Sequence, residues 1–101
     1  MAWIKAGKIT DISEGGSQVV NARGQELALF KVEGKVYAIK NTGPHRGGPL
    51  AEGYLEGQKV TCPWHAWVFD VKTGACQTTP DMKQPTFQVK INADEIFVEV
   101  G

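Results

Sequence analysis

Residues 44–74 read PHRGGPLAEGYLEGQKVTCPWHAWVFDVKTG, and the spacing within this stretch governs both fold and chemistry. His45 lies in one Gly/Pro-rich loop, and sixteen residues separate it from Cys62, which opens a second such loop. Cys62 and His65 have the C-x-x-H spacing of metal-binding knuckles. A solitary His is usually a surface residue or a hydrogen-bonded core residue. Two His in separate turn-rich loops, one of them at knuckle spacing from a Cys, put a metal held by His45, Cys62 and His65 on an equal footing with that reading.

On either side of this stretch the pattern is period-2 alternation, the mark of half-buried strands. KVYAIK places Val36 and Ala38 on one face and Tyr37 and Ile39 on the other. FQVKI sends Phe87, Val89 and Ile91 one way, and EIFVEV does the same with Ile96, Val98 and Val100. ELALFKV is apolar on both faces and suits a central strand. Hairpins are expected at 33–35 and 92–95, with further turns near Gly15, Gly24 and Gly74. Residues 41–80 differ: strands there shrink to KVTC and WVFD, while Gly, Pro, His, Cys and Trp accumulate. The expectation is one all-β domain over 1–101. A basal part formed by about 1–40 and 82–101 carries an inserted, loop-bearing lobe of about 41–81.

Composition excludes several functions. Lys plus Arg and Asp plus Glu number 11 each, so no net field attracts nucleic acid or an anionic membrane. No apolar run approaches the roughly 20 residues of a membrane span, and MAWIKAGKITD has no signal-peptide core. Two Cys, Cys62 and Cys76, are too few for a disulfide framework and fit a cytoplasmic protein with reduced thiols. No nucleophile triad or phosphate loop is present.

The stretch 44–74 closely resembles the two cluster loops of Rieske-type ferredoxins, whose signature is C-x-H, about sixteen residues, then C-x-x-H. DISEGG, VEGKVYAIKN and the terminal strands resemble the basal sheets of the same family, so the likeness spans essentially the whole chain. The resemblance implies small antiparallel sheets forming a basal sandwich and a [2Fe–2S] cluster in the lobe. Two His hold one iron and two Cys the other. Carried over, His45 and His65 would hold the outer iron and Cys62 the inner one. Pro80 would belong to a third loop covering the cluster, and Leu50 would plug the lobe. The Cys pair that bridges the loops in respiratory-complex members is replaced by Gly48 and Trp64, which favours the soluble ferredoxin branch.

One residue departs from this pattern. The remaining inner ligand falls on position 43, which is Gly. Two ferric ions, two sulfides and two thiolates sum to zero charge, so losing one thiolate leaves the core with one positive charge. Four readings are open: water, hydroxide or a nearby side chain as fourth ligand; a substituted position in a parent that has Cys; a mononuclear His2Cys site; or a metal-free interaction module. The first two share one function. The expected protein is a monomeric Rieske-type electron carrier, not a catalyst by itself, that passes electrons from a reductase to a terminal enzyme. That enzyme would be an aromatic-ring dioxygenase, or the chain would be the small subunit of a nitrite reductase.

Overall fold

The computed structural model describes residues 2–41, 50–63, 67–78 and 83–100. They form ten strands: β1 (Ala2–Lys8), β2 (Ser17–Ala22), β3 (Gln25–Val32), β4 (Lys35–Lys40), β5 (Tyr54–Glu56), β6 (Lys59–Thr61), β7 (Val68–Asp70), β8 (Thr86–Phe87), β9 (Val89–Asn92) and β10 (Glu95–Val100). Three antiparallel sheets result, ordered β1-β10-β9, β2-β3-β4-β8 and β5-β6-β7.

The second sheet is the middle layer. Leu27, Leu29, Val36 and Ala38 face the first sheet, where they pack with Ile96, Val98 and Val100. Ala28, Phe30 and Ile39 face the other way and pack with Leu50, Val60, Phe69, Val71 and both cysteines. Strand β3 runs through the middle of this layer, which is why its sequence is apolar on both faces. Leu27, Ala28, Leu29 and Phe30 have no exposed surface at all.

The hairpins follow turn chemistry. Two-residue connections at Arg23–Gly24 and Glu33–Gly34 have positive φ at both positions, as a type I′ turn requires. The 92–95 turn places Ala93 at φ 59. FQVKI does not form one strand, however: it breaks at Gln88, with β8 pairing β4 and β9 pairing β10. The alternation in that stretch serves two sheets in succession, and it leaves Ile91 41% exposed. On the open face of the first sheet the Lys90 ammonium lies 4.7 Å from the Trp3 ring centroid, which covers part of that exposed indole.

The turn after β7 is held by its own backbone. The amide of Gly74 donates to the Asp70 carbonyl, and the Gly74 carbonyl accepts from Gln84, both at 2.7 Å. Gly74 has φ +80, and a β-carbon there would lie 2.0 Å from the Gln84 carbonyl oxygen. Gly74→Ala should therefore destabilise the fold by at least about 2 kcal/mol, read from urea denaturation. A loss under about half that would show that the Gln84 segment yields easily.

Candidate metal centre

Asn41 ends β4 as a buried polar residue, and it fastens the first loop at its base. Its amide donates to the Glu26 carbonyl (2.9 Å), and its own carbonyl accepts from Leu50 (2.8 Å). Its side-chain oxygen accepts from the Ala51 amide (2.8 Å), and its Nδ2 donates to the Glu26 carboxylate (2.6 Å). Residues 41 and 50 are thereby clamped together, whatever path the eight intervening residues take. The Ser17 hydroxyl donates to the Ala51 carbonyl at 2.6 Å and ties the same point to β2. Leu50 is fully buried in the same core cluster as Cys62.

The second loop has a comparable stem. Strands β6 and β7 pair in register Lys59↔Asp70, Val60↔Phe69 and Thr61↔Val68. Beyond them the Cys62 amide donates to the Trp67 carbonyl at 2.7 Å. Cys62 thus stands at the stem of the second loop. It is only 4% exposed and packs in one core cluster with Leu50, Val60 and Phe69, with Trp67 half-buried against it. Gly53 lies close by, where a β-carbon would sit 2.2 Å from the Thr61 carbonyl oxygen.

Asp70 closes the far end of this hairpin. Its carboxylate accepts from Gln58 (2.7 Å) and from the amides of Lys72 (2.8 Å) and Thr73 (3.2 Å), with the Lys59 ammonium at 3.8 Å. Burial pushes the Asp70 carboxyl up, but the Gln58 and backbone hydrogen bonds, helped by Lys59, outweigh it and hold the group below its ordinary range.

Of the residues read from sequence as ligands, the structure places Cys62 at the lobe's stem. His45, His65 and position 43 lie outside the described residues, as do Trp64 and Pro80. Sequence reading missed Asn41, Asp70 and Gln84, which are buried polar residues among the described ones. The D-x-x-x-G spacing of Asp70 and Gly74 is a turn signal that points to one of them.

A three-layer β domain with a Gly/Pro-rich lobe, a buried cysteine at a loop stem and two histidines in the loops is the frame of an iron–sulfur protein. The chain belongs to the Rieske [2Fe-2S] domain family, whose match covers residues 2–93. It is 38% identical over 100 residues to the ferredoxin component of the naphthalene 1,2-dioxygenase system of Pseudomonas putida, covering 98% of this chain and 96% of that one. Among solved structures, a complex of reduced oxygenase and oxidized ferredoxin in carbazole 1,9a-dioxygenase contains a chain that is 32% identical, with a TM-score of 0.88. That match covers 95% of this chain and 91% of the other. The ferredoxin of carbazole 1,9a-dioxygenase from Nocardioides aromaticivorans shares the fold over the full length of both chains, at TM-score 0.94 and 23% identity.

Family membership implies a [2Fe–2S] cluster, and the donor set of this chain does not complete one. A Rieske centre takes two thiolates and two imidazoles. The chain has two Cys and two His in all, so the second thiolate could come only from Cys76. Cys76 pairs with Phe69 on the far side of β7, and Phe69 pairs with Val60, two residues before Cys62. The two cysteines share a face but stand two strands and one residue pair apart. That is roughly 12 Å between Cα atoms from strand spacing and rise, beyond what two thiolates on one iron can bridge. By this spacing Cys76 is not placed to share an iron with Cys62.

Two outcomes follow for the lobe's stem. Asn41→Ala removes the clamp and strands the Glu26 and Ala51 groups, and should cost about 1–3 kcal/mol in urea unfolding. Because Asp70 titrates lower folded than unfolded, its contribution is full above the ordinary carboxylate range and lost as pH falls through its folded value. Asp70→Asn should therefore lower stability at neutral pH and flatten the decline below about pH 4. An unchanged acid limb in the variant would remove Asp70 as its source.

Proposed function

We propose that this chain is the ferredoxin of an aromatic-ring dioxygenase system, carrying single electrons from a reductase to a terminal oxygenase in the cytoplasm. The observation that carries this reading is the end-to-end 38% identity with the naphthalene dioxygenase ferredoxin. Cys62 and Cys76 are not joined in a disulfide, in keeping with a reducing compartment. Among the described residues no helix is long and apolar enough to cross a membrane.

In this reading residues 41–81 form the cluster-binding lobe. His45 and His65 would hold the outer iron and Cys62 the inner one, and the cluster, when bound, would supply one-electron chemistry. The chain's own contribution is positional. The Asn41 clamp fixes the ends of the first ligand loop at the middle sheet, and the Cys62–Trp67 hydrogen bond fixes those of the second at the β5-β6-β7 sheet. The core around Cys62 keeps water from its thiolate. The chain transforms no substrate itself.

Gly43 favours a second reading, a mononuclear His2Cys metal site. Iron and acid-labile sulfide assayed together on anaerobically reconstituted protein separate the two: sulfide accompanies iron only in the first. In that first case His65→Ala should lower retained iron by about tenfold or more, with the fold intact by circular dichroism. Electron transfer is then read as reoxidation of the reduced protein by a terminal oxygenase. Iron that binds without sulfide, or reduced protein that no oxygenase reoxidises, would refute the electron-carrier reading.

A further inference from the structure

Strand β4 has a neighbour on each side, but only one of them runs its full length. β3 pairs with every residue from Lys35 to Lys40. β8 pairs with Ala38 and Ile39, and beyond them the Lys40 amide donates to the Pro85 carbonyl. Alternation along the ladder sets the direction of each backbone group. Lys40, Ala38 and Val36 turn their N–H and C=O toward β8, while Ile39 and Tyr37 turn theirs toward β3. Lys40 faces Pro85 and Ala38 faces Phe87, so the next rung would join Val36 to Val89. That rung is not made. The chain leaves β4 at Gln88, and Val89 pairs with Val98 of the first sheet. Among the described residues no other strand takes the place of β8 there. Where the ladder opens lies a cleft of about 260 Å³, lined by Val36, Tyr37, Phe87, Gln88 and Val89.

We infer that this cleft binds a small uncharged molecule in which a primary carboxamide or lactam is carried on an apolar ring, and that the amide supplies the missing rung. Three features select that chemistry. The Val36 N–H and C=O face the opening side by side, so a group offering an acceptor beside a donor matches both. Val36, Phe87 and Val89 belong to or pack on the core between the first two sheets, which gives the cleft an apolar floor. None of the lining residues is charged, so an ion entering it would lose hydration without gaining a partner.

The length of the open edge decides between a small molecule and a peptide strand. Strand addition draws its affinity from main-chain hydrogen bonds over several residues. The next residue that would turn outward is Gly34, and its amide already donates to the Glu14 carboxylate at 2.8 Å. The open edge is therefore Val36 alone. Volume sets the upper size, because the cleft is smaller than those that hold drug-sized ligands. A single ring with its amide suits it.

The test is a titration of the 15N-labelled full chain with benzamide, followed by amide chemical shifts. The cleft lies at the opposite end of β4 from Asn41, so the result does not depend on what the lobe holds. The amides of Val36, Phe87, Gln88 and Val89 should shift together and saturably, with half-saturation on the order of 1 mM for so small a ligand. N,N-Dimethylbenzamide keeps the ring and carbonyl but has no N–H, and should bind at least about tenfold more weakly. Benzoate should also bind at least about tenfold more weakly. Val89→Phe, which fills the cleft, should abolish the benzamide shifts with circular dichroism unchanged.

A Val36 amide that does not move saturably up to about 20 mM benzamide would overturn the inference. Equal binding of the dimethyl compound would overturn it too, since the cleft would then recognise apolar surface alone. Shifts clustered away from the cleft, or kept in a folded Val89→Phe, would place the ligand elsewhere and have the same force. If Val89→Phe does not fold, the ligand series on the unaltered chain decides by itself.

Discussion

Burial of β3 on both faces is the constraint on which the rest of the molecule depends. Leu27 and Leu29 require one apolar partner layer, and Ala28 and Phe30 require another. A strand with no wet face cannot lie at the surface of a two-layer sandwich. The terminal strands supply the first cover through Ile96, Val98 and Val100. The short β5-β6-β7 sheet supplies the second through Val60 and Phe69. The sheet that bears the loops is therefore part of the core and not an appendage to it. Small domains have little apolar area to spare, and this one draws on its functional lobe to bury its central strand.

The same arrangement separates what positions the loops from what reacts in them. Asn41, Ser17 and the Cys62 amide hold the loop ends with backbone and side-chain hydrogen bonds that need no metal. Buried polar groups are costly unless fully paired, and Asn41 pairs its amide, its carbonyl and both side-chain heteroatoms. An electron-transfer site benefits from such a frame, since ligands fixed beforehand reorganise little when charge changes.

Much of this was legible in sequence, and the gaps have physical causes. Alternation located β4 and β10, with Val36, Ala38, Ile96, Val98 and Val100 on the faces expected. The two-sided apolarity of ELALFKV marked the central strand, and turn residues located the hairpins. The break at Gln88 was not legible, because period-2 alternation continues across a change of sheet. β5 was missed because Tyr54 is 69% exposed and Leu55 alone of its three residues packs on the core. The clamps of Asn41, Asp70 and Gln84 were also hidden, since polar residues beside loops usually face water and only tertiary contacts show which are buried. The family was legible from spacing and residue type. What only the structure adds is where the two cysteines stand, Cys62 at a loop stem and Cys76 beyond Phe69 across β7.

Strands β4 and β8 lie side by side, paired at Ala38↔Phe87 and Ile39↔Thr86. The Lys40 amide extends this pairing to the Pro85 carbonyl, and the Gln84 side chain donates to the Lys40 carbonyl. The chain thus leaves the middle sheet and returns to it at adjacent points, so the excursion over 41–85 is a ring already sewn shut at its neck. The entropy of bringing its ends together is met by the scaffold. A chain that fails to load its cluster, or loses it to oxygen, should accordingly persist as a folded apoprotein able to be recharged. That distinguishes it from small metal-dependent domains whose unloaded state is an unfolded chain.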